Sequence, residues 1–300
     1  MNRRSFLTLT ASAAAATSLP PAVWSAAGGA RGRRLRKGIM WGTVGVKGSV
    51  LEKMQAVKAA GFEGVEPMGG MDQDEMVQAL KATGMQAGSV CCHTHWAKPF
   101  SDPNPAVRAS GLSGLEQSLQ DAHRYGAPSV LLVPAVVNEK VSYADAWTRS
   151  IAEIRKALPL AKKLNVRISI ENVWNNFLLS PLEAAQYVDQ FKSPYVRWHF
   201  DVGNVINYGW PEQWVRILGP RIQTLHIKEF SRAKADKAGK WTGFNAEFLT
   251  GDNRWPEVMR ALDDINFQGW AIAEQGGADS PEGLAKLSRE MDRIFAGEGA

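Results

Sequence analysis

From about residue 37 onwards, short apolar runs alternate with amphipathic stretches of roughly ten to twenty residues. The apolar runs predict eight strands: "KGIMWGT" (37–43), "FEGVEP" (62–67), "MQAGSVCCH" (85–93), "SVLLVPA" (129–135), "VRISIEN" (166–172), "VRWHFD" (196–201), "IQTLHIK" (222–228) and "GWAIAE" (269–274). The stretches between them predict helices over 49–60, 72–83, 105–125, 143–164, 181–190, 211–218, 254–264 and 281–296. The punctuation agrees. "AAGFEG", "ATGMQ" and "RYGAPS" place Gly where a helix ends in the left-handed region, and "SPLEAA" and "SPEGLA" place Ser at the N-cap with Pro after it.

Strand–helix alternation of this kind is the signature of βα units around a parallel sheet. Eight of each predict an α/β fold, a single (β/α)8 TIM barrel, with its chemistry at the C-terminal ends of the strands. A doubly wound open sheet is the rival. That architecture usually carries a Gly-rich phosphate loop after its first strand, and "GTVGVKG" (42–48) lacks the G-x-G-x-x-G spacing. The longest stretch without periodicity, 229–253, follows strand seven and reads as an unstructured loop that serves as a functional lid.

Charge changes the picture at one end only. The formal charge is +5, but residues 1–37 hold seven Lys or Arg and no acid, leaving 28 basic against 30 acidic residues in the remainder. The folded domain is therefore not basic, which argues against nucleic acid as a partner. "MNRRSFL", an Ala-rich weakly apolar stretch and "PPAVWSAAGGA" follow the pattern of a twin-arginine signal peptide cleaved after Ala27. The expected organisation is residues 1–27 signal peptide, 28–37 basic linker and 38–300 barrel. It implies the twin-arginine export machinery as a partner and a periplasmic location. Cys91 and Cys92 are adjacent and would point to opposite faces of a strand, so the fold must rest on its core rather than on disulfides.

The strand ends carry the candidate chemistry. Strand five ends in Glu171, strand six in Asp201 and strand eight in Glu274, while His226 lies near the end of strand seven. Asp201 alone would read equally well as a helix cap. Four consecutive strand ends converge at one spot of a barrel, and three carboxylates with an imidazole there need a cation to neutralise them. Oxygen-rich ligation with a single His suits Mn²⁺, Mg²⁺ or Co²⁺. Lys228 shares parity with His226 and points inward, Glu229 points away, and His199 lies one layer below Asp201. Glu66 at the end of strand two and His95 beyond strand three are candidate substrate contacts, with His93 a weaker one. Trp41, Trp174 and Trp241 are candidate walls for stacking a sugar.

"SIEN", "FDVGN", "LHIKE" and "AEQ", in that order on strands five to eight, resemble the xylose isomerase-like barrel superfamily, and most closely its sugar phosphate isomerase/epimerase branch. The resemblance covers about 38–296 and implies one Mn²⁺, Mg²⁺ or Co²⁺, Mn²⁺ foremost, held by Glu171, Asp201, His226 and Glu274. It further implies that Glu171 and Glu274 shuttle a proton next to a carbonyl through an enediolate, with Lys228 or His95 binding substrate oxygens. The group's epimerases often carry a histidine three residues after the metal Asp. Asn204 stands there, which puts the substrate contact at that point in question.

Apurinic endonucleases of the same superfamily need that histidine and an Asp-x-His after strand seven, and "SRAKADKAGK" offers none. Two other readings remain open: a lyase that β-eliminates from 3-keto-glycosides with the same parts, and a non-catalytic sugar-binding protein. Export favours an unphosphorylated sugar or keto-sugar, because sugar phosphates are cytosolic. Barrels of this group often pair, which leaves a homo-oligomer open.

Overall fold

The computed structural model describes residues 33–299. Its strands are β1 (Arg34–Met40), β2 (Gly64–Glu66), β3 (Gln86–Ala87), β4 (Val90–Cys91), β5 (Ser129–Leu132), β6 (Arg167–Glu171), β7 (Val196–Asp201), β8 (Ile222–Ile227) and β9 (Gln268–Ala273). They form one parallel sheet in the order β3-β2-β1-β9-β8-β7-β6-β5-β4. The two pieces at the ends of that order, β3 and β4, are parts of the single third strand expected from the sequence, so the sheet closes on itself through the break. A parallel bridge between Met68 and Cys91 joins the rims there. The result is an eight-position α/β barrel.

Trp270, on β9 below Ile272, lies inside the barrel against the glycines of β2 and the third strand. A Cβ at Gly64 would come within 2.5 Å of its ring and one at Gly88 within 2.7 Å. Only glycine can pass that ring, and Gly88 does so while still donating to the Val65 carbonyl at 2.9 Å. The Arg36 guanidinium covers the ring at 4.0 Å from its centroid, which plugs the end of the barrel away from the strand C-termini.

Eight helices fall within one residue of their expected ends: α1 (Val50–Ala59), α2 (Gln73–Thr83), α3 (Pro105–Tyr125), α4 (Tyr143–Leu164), α5 (Pro181–Asp189), α7 (Pro211–Leu218), α9 (Trp255–Asp264) and α10 (Pro281–Phe295). The two short additions are α6 (Val202–Ile206) and α8 (Arg232–Ala238). Ser49, Ser180 and Ser280 each accept a backbone N–H at a helix start, and Gly84 and Gly126 end α2 and α3 at φ 66° and 74°. Buried residues such as Val130, Ile168, Ile170 and Leu225 line the strands as one continuous core. Each contributes roughly 1.5–3 kcal/mol by leaving water.

Two expectations need correcting. The basic linker does not extend to Lys37: its last residues already form β1, which pairs with β9 from Arg34↔Gln268 to Ile39↔Ala273. Lys37 is buried because its ammonium donates to the Ser288 carbonyl at 3.1 Å and to Asp292 at 2.6 Å. Residues 28–32 and the expected leader, 1–27, lie outside the described residues. The stretch 229–253 is not an unstructured loop either, since it contains α8 and a 3-10 turn, Lys240–Asn245. Among the described residues no helix is long and apolar enough to cross a membrane.

Candidate metal centre and active site

Glu171 closes β6, Asp201 closes β7, His226 is the penultimate residue of β8, and Glu274 directly follows β9. Parallel pairing brings them together: Asp201 lies opposite His226 in the β7–β8 register. One donor atom from each of the four lies within 4.8 Å of the others. His226 Nδ1 is 3.0 Å from Glu171 Oε1, 3.2 Å from Glu274 Oε2 and 3.9 Å from Asp201 Oδ2. The four residues expected from the sequence to surround an ion do form one cluster.

Asp201 has two duties. Its Oδ1 accepts the Asn204 N–H at 2.7 Å and caps α6, while the fully buried Oδ2 has no hydrogen-bond partner. A carboxylate oxygen without a hydrogen bond, set among two further carboxylates and an imidazole, is suited to a bound cation. Three hard oxygens and one nitrogen fit a divalent ion.

The chain's own cations partly compensate for these charges. Lys228 Nζ lies 2.6 Å from Glu274 Oε2 and 3.4 Å from Asp201 Oδ2. Burial opposes the charge on Lys228, but Asp201, Glu274 and Glu171 outweigh it and hold the ammonium above its usual range. Burial would likewise raise Glu274, yet Lys228 and His226 overcome it and hold that carboxyl well below the ordinary range. Glu171 is raised, chiefly by burial, and burial pushes Asp201 up to about 7. Burial disfavours a charged His226, but Glu66 and Glu274 prevail and raise it well above its usual value.

Glu66, expected as a substrate contact, is not among the residues that line the cavity above the cluster. It is fully buried and accepts from His226 Nε2 at 2.8 Å, beneath the cluster. That bond fixes the ring with Nδ1 facing the carboxylates, the arrangement that orients a metal-binding imidazole. The other Glu66 oxygen stands 4.0 Å from His199 Nδ1, beyond hydrogen-bond reach. His199 lies one layer deeper, as its parity predicts. Both its nitrogens lack partners, and burial lowers its pKa well below the usual value.

Above the cluster opens a cavity of about 360 Å³, bounded by Glu171, His226, Lys228 and Glu274 on one side. His95, Trp174 and Asn204 also line it, as the sequence leads one to expect. His95 Nδ1 accepts the Val133 N–H at 3.2 Å, so its ring proton sits on Nε2, and burial lowers its pKa to about 3. It is a neutral donor with a fixed tautomer. Asn204 spends its Nδ2 on the Asn172 carbonyl at 3.0 Å, and what it offers the cavity is its amide oxygen. Trp41 is not among the lining residues. The first strand stops at Met40, which lines the cavity, and Trp41 turns away to pack on the core. His93 is exposed and outside the lining.

Cys91, Trp96 and Phe244 line the cavity without having been singled out. Cys91 had a signal, the inward alternation of the third strand; Phe244 had none, because its position depends on how residues 229–253 fold. Three buried polar side chains set that fold. Glu229 accepts from Leu249 N at 2.7 Å and Trp255 Nε1 at 2.9 Å, Asn253 donates to the Lys228 carbonyl at 2.6 Å, and Gln275 donates to the Ala246 carbonyl at 2.8 Å. Burial pushes Glu229 up to about 7.

The family model for the xylose isomerase-like TIM barrel matches residues 54–293. An L-ribulose-5-phosphate 3-epimerase, UlaE, of Escherichia coli O1:K1 / APEC is 24% identical over 264 residues, covering 82% of this chain and 89% of that protein. Among solved structures, the 3-keto-D-glucoside 4-epimerase YcjR from E. coli superposes with a TM-score of 0.73 at 16% identity, covering 88% of this chain and 100% of that one. A D-psicose 3-epimerase solved in the presence of D-fructose gives 0.72 at 17% identity, with 88% and 100% covered. At these identities the structural likenesses speak for the fold.

Proposed function

Because the chain belongs to the xylose isomerase-like TIM-barrel family, we propose that it is a divalent-metal-dependent sugar epimerase or isomerase acting by proton transfer next to a carbonyl. The observation that carries this reading is the cluster of Glu171, Asp201, His226 and Glu274 at four consecutive strand ends, with the buried Asp201 Oδ2 left without a hydrogen bond. Several relatives are named as sugar 3-epimerases or a keto-glucoside epimerase, which supports the reaction class. Mn²⁺ is the ion we favour, with Mg²⁺ or Co²⁺ as alternatives of the same donor preference. When bound, such an ion supplies Lewis acidity to a carbonyl oxygen and its neighbouring hydroxyl.

The remaining work falls to the chain. Glu171 and Glu274 come from strands separated by two others and approach the cluster from different sides. One carboxylate can take the proton from the carbon beside the carbonyl while the other returns one to the opposite face. Neutral His95 donates from Nε2 to a substrate oxygen, and Asn204 accepts from a hydroxyl. Lys228 holds Glu274 ionised and so available as a base.

Two features support an unphosphorylated substrate. Among the described residues that line the cavity the one Lys or Arg is Lys228, whose charge is taken up by Glu274 and Asp201. The twin-arginine leader at residues 1–27 also supports a periplasmic site of action, where sugar phosphates are out of place. In the test, chelator-stripped protein is reloaded with Mn²⁺, Mg²⁺, Co²⁺ or Zn²⁺ and offered free ketoses and keto-sugars, with products separated by chromatography. Metal-dependent formation of an epimer or isomer supports the reading. Turnover of equal rate in stripped protein would overturn it.

A further inference from the structure

The cavity changes character between its floor and its mouth. At the floor stand the carboxylates; at the mouth stand tryptophans that the protein leaves in water. Trp96 is 52% exposed and Trp241 is 62% exposed, and both line the same cavity. Trp96 follows the third strand of the barrel and Trp241 the seventh. The two indoles thus reach one cavity from different loops, and Trp241 leans over the segment after β6 to meet Trp174.

The Trp241 side is built as a platform. Trp174 packs against Trp241 with ring centroids 4.6 Å apart and against Phe244 at 4.9 Å. Its Nε1 donates to the Asn204 carbonyl at 2.9 Å, which locks the ring in place. The Lys240 ammonium lies 5.4 Å from the centroids of both Trp174 and Trp241, resting on the rings. Trp96, from the loop after the third strand, meets His95 edge-on at 5.7 Å. Exposed aromatics that line one cavity from separate loops are walls for a ligand, because the electron-rich indole face attracts the weakly positive C–H face of a sugar or the edge of another ring.

We infer that the mouth is a second subsite for a neutral ring, and that the substrate is a glycoside of a keto-sugar rather than a free monosaccharide. The keto-sugar unit sits at the carboxylates, and its glycosidic substituent, a second sugar or an aromatic aglycone, lies against the exposed tryptophans Trp96 and Trp241. This rests on the reading of the floor as an epimerase site. A phosphate at the mouth would call for a free cationic fork. The cation at hand is Lys240, already placed on the two indoles.

The test compares kcat/KM of the metal-loaded protein for 3-keto-glucose, its methyl glycoside, its phenyl glycoside and a 3-keto-disaccharide. Trp96→Ala, Trp241→Ala and Lys240→Ala are run beside the wild type. The subsite predicts that ring-bearing glycosides are preferred over 3-keto-glucose and the methyl glycoside. Each tryptophan variant should lower that preference by roughly three- to tenfold. Equal losses on all four substrates would overturn the inference, as would a preference for ketose phosphates abolished by Lys240→Ala.

Tryptophan fluorescence with unreactive phenyl glucoside separates this inference from the reading beneath it. If no compound turns over, the epimerase reading fails. Saturable quenching that weakens in Trp241→Ala then still supports the ring subsite, and absence of quenching overturns it.

Discussion

The two halves of the barrel wall face the same cavity with opposite chemistry. Strands β6 to β9 and the residues just after them deliver Glu171, Asp201, His226, Lys228 and Glu274; neighbours hold His226, Lys228 and Glu274 in their charged forms, while burial raises Glu171 and Asp201 towards neutrality. Strands β1 to β5 and their loops deliver Met40, Cys91, Leu131 and the neutral His95. Their one acid at that level, Glu66, is withdrawn beneath His226. Under the proposed function, the charged side would hold the ion and the reacting carbon, and the opposite side would hold the rest of the carbon skeleton.

The sharpest way to break that comparison is to neutralise one base on the charged half. Glu274→Gln or Glu171→Gln should reduce turnover by about a hundred- to ten-thousandfold in steady-state assays at saturating metal. A loss within tenfold would mean that the carboxylate only holds charge.

The second test concerns the segment that completes the charged half. Glu229 is raised to about 7 from an ordinary value of 4.5 by burial, so the native state keeps a proton that the unfolded chain releases. Its contribution is full below about 4.5 and is lost as pH rises through about 7. Between those limits the wild type should lose on the order of 2–3 kcal/mol relative to Glu229→Gln, measured as the difference in unfolding free energy in urea. Parallel pH profiles for the two proteins would refute the buried-proton account.

Glu66 sharpens the comparison from the other half. Glu66→Gln should weaken metal binding by about ten- to a hundredfold in calorimetric titrations with Mn²⁺, through misorientation of His226. A smaller effect, roughly three- to tenfold in kcat/KM, is expected for His95→Phe, which removes one hydrogen bond to substrate. Because His95 is neutral above about pH 3, the wild-type profile between pH 5 and 8 should show no ionisation that vanishes in this variant.

The elements were legible where local chemistry marks them. Helix ends at Ser180–Pro181, Ser280–Pro281, Gly84 and Gly126 depend on one or two neighbouring residues, and the structure places them as expected. The third strand was less legible, because its glycine at 88 answers to the Trp270 ring, nearly two hundred residues further along the chain. The same distinction runs through the site. A carboxylate that ends a strand is visible as such, and Glu171, Asp201, His226 and Glu274 cluster accordingly. Whether a strand-end acid faces the ion or lies under its ligand depends on the stagger of strands around the barrel, and Glu66 went to the wrong side of that divide. Trp41 and Met40 differ by one residue where a strand stops, which alternation alone does not give. Phe244 and α8 depend on the buried clamps Glu229, Asn253 and Gln275, whose partners are distant in sequence.

The most direct test of the central claim is proton NMR in D₂O. Metal-loaded wild-type protein is incubated with a panel of ketoses and 3-keto-sugars, beside metal-stripped protein and Glu274→Gln. The account predicts deuterium entering the carbon next to the carbonyl only with metal and only with Glu274 intact. Exchange that persists without metal or in Glu274→Gln, or no exchange with any substrate despite a bound ion, would contradict it.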